Sequence, residues 1–312
     1  MAPGGEVAAP ARAAVHRPPT ADLALIAVAV AAVSTSAPLI RQAAAPALAI
    51  AFWRNLLASG VLVPYALVTT RRELLGLDRR TLRLAVLAGL LLAAHFATWI
   101  PSLSFTTVAS SVALVATQPI WAALIARQRG DHVPRAAWVG IGVAVAGAVL
   151  LTGIDVQLSS RALFGDLLAV TGGALAAAYV TVGAEVRTTV STTTYTTLCY
   201  VTAAVALLVV CLAGGQDLGG YPSGTWWALV GLTVGAQLLG HSVFNRVLGT
   251  TSPTVVSVSI LFEIVGAAVL AQLWFGETPP LAAVPAAALI ALGVVLVVRS
   301  GREPALASPV LE

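Results

Sequence analysis

Two ionisable side chains of this sequence lie inside long apolar runs. Glu263 falls within the run 252–275, and Arg54 falls within the run 46–69. A carboxylate in the middle of an apolar layer is costly unless it faces a cavity, a partner or a bound proton. Glu263 is therefore predicted either to line a cavity and exchange protons there, or to make a structural hydrogen bond between helices.

Arg54 keeps its charge at any ordinary pH, so its guanidinium group needs a hydrogen-bond acceptor. The candidates are Glu263, the carbonyl groups at a helix end and a carboxylate of a bound molecule. Alternatively, Arg54 extends its side chain to lipid headgroups, because it lies near one end of its apolar run. The sequence alone leaves both interpretations open.

Further polar residues recur at related places in the chain. His95 and His241 occupy equivalent positions of an internal repeat, and Gln118 aligns with Glu263 as its neutral counterpart. The histidines are expected in opposite halves of the layer, so a shared metal site is not predicted. The roles left open for the two histidines are gating, hydrogen bonding to a substrate and ordinary packing between helices. Gln118 is predicted to hydrogen-bond a substrate.

Two tryptophans, Trp99 and Trp121, are predicted to supply apolar surface near the same cavity. Asn55, Gln237 and Asn245 are weaker candidates for polar contacts there. Neither Gly-x-Ser-x-Gly nor His-Glu-x-x-His occurs, and there is no Walker motif. The sequence therefore predicts no enzyme, no catalytic residue, no metal and no cofactor.

The composition indicates that membrane-spanning helices position these residues. Of the 312 residues, 58% are hydrophobic and only 10% are charged. A water-soluble domain carries about 25% charged residues, so lipid must solvate much of this chain. A bilayer core of roughly 30 Å requires about 20 apolar residues per helix. Ten helices are predicted, at 21–40, 46–69, 82–101, 104–126, 135–153, 163–184, 193–213, 224–245, 252–275 and 280–299.

The arginines indicate how these helices are oriented. All 17 basic residues are arginines, and fourteen fall on the side of the membrane that holds both termini. Only Arg41 and Arg161 fall on the other side. Because cytoplasmic loops carry the excess of positive charge, both termini are predicted to be cytoplasmic, in the plasma or inner membrane. The basic residues form short clusters at helix ends, which does not favour binding to nucleic acid.

An internal repeat divides the chain into two halves. Gly89 and His95 recur as Gly235 and His241, and the pairs 130–131 and 276–277 are both glycine followed by an acidic residue. Five helices per half is an odd number, so the second half must have the opposite orientation. The predicted organisation is a disordered N-terminus and tail around two repeats, with boundaries at 1–20, 21–157, 158–301 and 302–312.

Four motifs follow one another along the chain: AFWRNLLASG (51–60), HFATWIPSLSFTTVASSVALVATQPIWAALIA (95–126), GDLLAVTGGALAAAYVTVGAEVR (165–187) and GHSVFNRVLGTTSPTVVSVSILFEIVGAAVLAQLWFGE (240–277). Together they resemble the EamA-type family of the drug/metabolite transporter superfamily. Each motif is weak alone, but their order and spacing cover nearly all of 21–301. One departure stands out: the family usually has Glu-Pro in the ninth helix, where this sequence has Glu263-Ile264. The ninth helix is therefore expected to bend less.

The resemblance implies ten membrane helices in two inverted halves around a central cavity. It also implies a secondary transporter that exports small metabolites, such as amino acids, or drugs. Its partners would be a small-molecule substrate and the lipid bilayer, with no nucleic acid, while a homodimer is left open. The alternatives are a non-transporting scaffold or receptor and a membrane-embedded hydrolase.

Overall fold

The regular elements of the chain are helices throughout the part that the structure describes. This computed structural model describes residues 18–106, 108–152, 159–276 and 281–301. The predicted disordered ends fall largely outside these residues. The helices are α1 (Thr20–Val33 and Ser36–Gln42), α2 (Ala47–Thr69), α3 (Arg79–Ser102), α4 (Val108–Val115 and Gln118–Gln128), α5 (Arg135–Thr152), α6 (Ser160–Arg187), α7 (Thr192–Ala213), α8 (Ser223–Leu232, Thr233–His241 and Ser242–Val247), α9 (Pro253–Ile260 and Phe262–Phe275) and α10 (Ala283–Ser300). A short helix, Arg71–Leu75, joins α2 to α3.

Most of these helices are long and apolar enough to cross a membrane. Within the described residues, eight satisfy this by length and composition, and α5 contributes a shorter apolar stretch, Arg135–Leu150. The helical fold class is therefore confirmed. A count of ten membrane crossings stays a prediction, because α4 and α5 are not among these eight.

Local sequence explains where several helices begin and end. The Asp78 side chain caps α3 by accepting the backbone N–H groups of Arg80 and Thr81 at 2.8 and 2.9 Å. Gly130 and Gly276, the repeated glycines, follow α4 and α9 with φ values of 86° and 70°. Glycine adopts this left-handed conformation without a steric penalty, so the repeated glycine ends the equivalent helix in each half.

The equivalent helices α4 and α9 are interrupted at equivalent places. In α4 the interruption falls at residues 116–117, just before Pro119, and in α9 it falls at Leu261. The expectation that α9 bends less without the usual proline stays a prediction, although α9 is interrupted over one residue where α4 is interrupted over two. The interruption recurs where isoleucine replaces proline, so it does not depend on the missing N–H group of a proline ring.

Two further helices depart from regular α-geometry. Helix α1 is interrupted at Ser34 and Thr35, whose hydroxyl groups donate to the carbonyl groups of Val30 and Ala32 at 2.7 Å each. Helix α8 contains a π-helical stretch, Thr233–His241. Such stretches occur often at functional sites, because the wider turn redirects side chains.

The contacts between the two halves are symmetric, because a contact between two helices recurs between their equivalents in the other half. Helix α3 packs on α6, and α8 packs on α1. Helices α2 and α7 pack on each other, as do α5 and α10. Gly140 of α5 touches Gly293 of α10, whereas Gly147 touches Ala286. Helix α10 therefore runs antiparallel to α5.

Small residues let α5 and α10 approach closely, as is common between membrane helices. A methyl group at Gly147 would lie 2.8 Å from the Ala286 carbonyl oxygen and 2.9 Å from the Ile290 nitrogen. Both are backbone atoms, so the helices would have to separate. At Gly142 of the same helix, nothing lies within 4 Å.

Gly147→Ala is expected to destabilise the protein by about 1–3 kcal/mol through overpacking. The matched change Gly142→Ala should be neutral or stabilising by up to about 1 kcal/mol, since alanine favours helix. Thermal unfolding of the two variants in the same detergent measures the difference. Equal unfolding temperatures would show that the α5–α10 contact is looser than described.

Candidate functional site

A cavity of about 740 Å³ lies between the two halves. Its lining comes from seven helices, α1, α2, α3, α4, α6, α8 and α9. It extends from Arg54 and Asn245 to Arg41, Leu103 and Phe275, at the ends of α1, α3 and α9. Within the described residues, the lining stops at Ser257, one turn into α9, and at Asn245 of α8, short of the opposite ends of the helices. The cavity therefore reaches toward one face of the protein.

Arg54 is fixed at the inner end of the cavity. Its side chain is fully buried at 0% exposure, and its Nε donates to Gln237 Oε1 at 2.8 Å. The Gln237 Nε2 donates in turn to Asn55 Oδ1 at 3.0 Å. The guanidinium group also lies over the Phe96 ring, 4.4 Å from its centre, which is a cation–π contact. Burial excludes the alternative in which Arg54 reaches lipid headgroups.

Aromatic rings form one wall of the cavity. His95 stacks on Trp99 with ring centres 5.8 Å apart and an angle of 7° between the planes. The His95 Nδ1 lies 2.9 Å from the Gly172 carbonyl oxygen, which can only accept, so Nδ1 carries the hydrogen. Phe96 touches both His95 and His241. The two histidines, expected in opposite halves of the layer, thus border the same cavity.

The interrupted helices α4 and α9 each present a polar residue in the first turn after the interruption. Gln118 donates from Nε2 to Ser257 Oγ at 3.1 Å, which ties α4 to α9. Glu263 lines the cavity and interacts electrostatically with Arg54. A half-helix that begins at a cavity places its N-terminal dipole there, an arrangement known from transporter sites.

Among the described residues, three side chains that line the cavity hold a polar atom that is buried and has no hydrogen-bond partner. These atoms are Arg54 Nη2, Trp99 Nε1 and Asn245 Nδ2. The Asn245 Oδ1 atom accepts from the Tyr179 hydroxyl at 2.7 Å, which leaves its amide nitrogen free. All three are hydrogen-bond donors.

Polar contacts close the opposite face of the protein. Glu185 at the end of α6 binds Arg80 of α3 at 2.8 Å and Arg129 after α4 at 3.3 Å. Asp22 at the start of α1 accepts from Thr250 and Thr251 between α8 and α9. Each contact joins the first half of the chain to the second.

A further contact on this face joins the α2–α3 link to the start of α7. Glu73 accepts from the Ser191 N–H at 2.7 Å and from the hydroxyl groups of Ser191 and Thr194. Partial burial acts to raise the pKa of Glu73, but these hydrogen bonds outweigh it, so its pKa lies below the ordinary value. Glu73 is therefore ionised at neutral pH while it caps α7.

The structure places most of the predicted site residues on the cavity. Trp121 is the exception: its Nε1 donates to Thr117 Oγ1 at 3.2 Å, and it is not among the lining residues, contrary to the prediction. For Arg54, the acceptor found is Gln237 rather than Glu263 or a helix-end carbonyl group. The candidate residues that line the cavity are Arg54, His95, Trp99, Gln118, His241 and Glu263.

Sequence reasoning missed several lining side chains. Phe96, Tyr179 and Phe244 belong to the cavity wall. An aromatic residue in an apolar helix gives no signal that separates a cavity wall from a packed core. All three stand in segments that resemble the family, 95–126, 165–187 and 240–277, but that resemblance does not tell which side chains of a segment face the cavity.

Apolar helices that surround a partly polar cavity define a multi-pass membrane protein. The model of the EamA-like transporter family matches the chain over residues 20–153 and 163–299. The chain therefore belongs to the EamA-like transporter family, of the drug/metabolite transporter type.

The chain is also similar to known structures. One crystal structure superposes with a TM-score of 0.73 at 18% sequence identity, covering 89% of this chain and 96% of the other. At this identity the likeness shows a shared fold alone. No curated protein matches the sequence.

Proposed function

We propose that the chain is a secondary transporter that exports small metabolites, such as amino acids, or drugs, by alternating access. The observation that carries this proposal is the one-sided cavity. It reaches the ends of α1, α3 and α9, while polar contacts between the halves close the other face. Exposed ion pairs contribute only about 0–1 kcal/mol each, so the closed face can open at low cost.

Inverted repeats supply the second conformation. If the halves exchange their geometries, the closed face opens and the open face closes. The antiparallel course of α5 and α10 supports this arrangement, because these helices are equivalent in the two repeats. Ten membrane crossings and cytoplasmic termini in the plasma or inner membrane complete the proposal, and its partners are a small-molecule substrate and the bilayer. A homodimer is compatible with it.

Glu263 is the residue we propose for proton coupling. It lines the cavity, stands in the first turn of a half-helix and interacts with the permanent charge of Arg54. When the cavity changes sides, a carboxyl group there would meet each aqueous phase in turn.

Metabolite profiling tests the transport proposal. Cells that overproduce the protein are expected to enrich at least one small molecule in the medium, relative to cells that lack it. Arg54→Gln should abolish this enrichment, whereas Trp121→Phe, outside the cavity, should retain it. If the membrane-inserted protein changes no metabolite, or if Arg54→Gln exports normally, the proposal fails.

Thiol labelling tests the orientation on which export depends. In a background without Cys199 and Cys211, Leu75→Cys should resist a membrane-impermeant reagent in intact cells, because the α2–α3 link is predicted to be cytoplasmic. Leu75 is 77% exposed, so burial would not protect it. Asp217→Cys, in the link between α7 and α8, should be labelled. The reverse pattern would place the open end of the cavity in the cytoplasm.

A further inference from the structure

We propose that two arginines, Arg187 and Arg41, gate the cavity, one at each end. Arg187 closes one end in this structure, and Arg41 closes the other end when the cavity changes sides. This inference rests on the alternating access proposed for the chain and adds the residues that control it. The contacts of Arg187, the internal repeat and the position of Arg41 carry it.

Six of the helices that line the cavity form two groups. Helices α3 and α4 both pack on α6, and their equivalents α8 and α9 both pack on α1. At the closed end, the groups meet where α6 contacts the last segment of α8 and the first segment of α9. Gln118 of α4 also donates to Ser257 of this α9 segment at 3.1 Å. Opening this end therefore requires α6 to separate from α8.

Arg187 joins α6 to the end of α8. It is the last residue of α6, and its Nε donates to the Asn245 carbonyl oxygen at 3.0 Å. Its Nη1 donates to the Val190 carbonyl oxygen in the α6–α7 link. A methyl group on Gly249 would lie 3.2 Å from its Nη2, so the guanidinium group also packs against the turn after α8. Because Asn245 lines the cavity and Arg187 does not, Arg187 stands just beyond the closed end.

A second hydrogen bond joins α6 to α8 nearer the cavity. The Tyr179 hydroxyl donates to Asn245 Oδ1 at 2.7 Å, and the Asn245 side chain also interacts with Tyr200 of α7. Helix α6 thus holds Asn245 twice, by its side chain through Tyr179 and by its main chain through Arg187. A hydrogen bond from a charged donor is about twice as strong as a neutral one, so Arg187 is the larger restraint.

Arg41 occupies the place of Arg187 in the first repeat. The two arginines are 146 positions apart, the separation that also relates Gly89 to Gly235. Arg41 lies in the last turn of α1, as Arg187 lies in the last turn of α6. The helices that follow, α2 and α7, begin 145 positions apart. The two arginines therefore end equivalent helices.

The carbonyl group that Arg187 binds also has an equivalent. Trp99 precedes Asn245 by 146 positions, and the two residues lie in the last turns of α3 and α8. Each carbonyl group accepts from a side chain, that of Ser102 for Trp99, at 2.6 Å, and that of Arg187 for Asn245. Trp99 lies toward the open end of the cavity, so its carbonyl group is the expected acceptor for a gate there.

Arg41 stands at the open end, where it lies over the Phe275 ring, 4.7 Å from the ring centre. Inverted repeats exchange their geometries when the cavity changes sides. The contact between α6 and α8 is then replaced by one between α1 and α3. Arg41 is expected to leave Phe275 and donate to the Trp99 carbonyl oxygen, as Arg187 now donates to Asn245.

A cysteine in the cavity measures which end is open. Ala267→Cys, on the α9 wall, is introduced into a background without Cys199 and Cys211. A membrane-impermeant thiol reagent is applied to intact cells and to inverted membrane vesicles, which expose opposite faces of the protein. The ratio of the two labelling rates reports the balance of the two conformations, whichever way the protein is oriented.

Arg187→Gln should shift this ratio by about tenfold toward the end that is closed here, the effect of one hydrogen bond to a charged group. Arg41→Gln should shift it in the opposite direction, because it weakens closure of the other end. Arg187→Lys keeps the charge and should shift it by less. Arg246→Gln is the matched control: Arg246 is exposed on the same face, so the same loss of charge should leave the ratio unchanged.

The unfolding temperature of each variant shows whether it folds. Where Arg187→Gln prevents folding, Tyr179→Phe, which removes the other hydrogen bond to Asn245, should shift the ratio in the same direction. The assignment is wrong if Arg187→Gln or Arg41→Gln leaves the ratio unchanged in folded protein, or if both shift it the same way. An equal shift in Arg246→Gln would assign the effect to surface charge instead.

The gates and the transport function fail separately. Opposite shifts in Arg187→Gln and Arg41→Gln without any exported metabolite would retain the gates and remove the transport function. Metabolite export together with an unchanged labelling ratio in both variants would retain the transport function and remove the gates.

Discussion

Replacing Gln237 with leucine is expected to destabilise the protein by about 2–3 kcal/mol, the usual range for a lost hydrogen bond to a charged group. Gln237 is the acceptor for Arg54 Nε, and both side chains are fully buried. Leucine has nearly the same volume, so the loss reflects the missing acceptor rather than an empty space. Thermal or denaturant unfolding in detergent provides the measurement.

A double-mutant cycle separates this effect from general damage to α8. Adding Arg54→Leu to Gln237→Leu removes the buried charge, so the double variant should regain part of the lost stability, because a buried charge without its partner costs more than an apolar pair. Gln272→Leu on α9 is the control: its Oε1 is already buried without a partner, so leucine should be neutral or stabilising. If the losses of unfolding free energy in Arg54→Leu and Gln237→Leu simply add in the double variant, the two side chains are not coupled.

The repeat made much of this fold predictable. Gly130 and Gly276 were aligned from sequence, and both adopt the left-handed conformation that ends the equivalent helices α4 and α9. Long apolar runs between polar links gave the helices to within a few residues. Those signals are local, since they depend on hydrophobicity and on backbone conformations that glycine favours.

The interruptions within helices could not be predicted in the same way. Leu261 interrupts α9 inside an apolar run without a proline, and Thr233–His241 is π-helical without an obvious breaker. The α9 segment after the interruption lies close to the α1 interruption, because a methyl group on Gly266 would overlap Ser34. The α1 interruption therefore packs against the second segment of α9, and a single sequence does not record such a contact.

In the candidate site, too, local features were predictable from the sequence and contacts between distant helices were not. An ionisable residue in an apolar helix is conspicuous, so Arg54 and Glu263 were found directly from sequence. Which group Arg54 binds was not found, because Gln237 is brought to it by the packing of α8 on α2. Trp121 was misplaced for a related reason: although it lies one turn along α4 from Gln118, its indole donates to Thr117 of its own segment and is not part of the cavity lining.

Glu263→Gln is expected to abolish the pH-driven component of transport while the protein still folds. An ionised carboxylate at this depth requires water or a cation beside it, and a neutral one requires hydrogen bonds. Glutamine keeps the shape and polarity of the side chain, but it cannot exchange a proton. Proteoliposomes with an imposed pH gradient should therefore lose gradient-driven flux in this variant, whereas Asp217→Asn in the exposed α7–α8 link should retain it.

Glu263→Ala distinguishes coupling from a structural role. If Glu263 acts only as a packing and hydrogen-bonding group, Glu263→Gln should transport normally. Glu263→Ala should then lower the unfolding temperature, because it removes the packing contacts of the side chain at the cavity wall. If Glu263 carries the proton, both variants should lose gradient-driven flux, and Glu263→Gln should remain monodisperse with a nearly unchanged unfolding temperature. Full pH-dependent flux in folded Glu263→Gln would remove this carboxyl group from the coupling mechanism and leave a facilitated pathway through the same cavity.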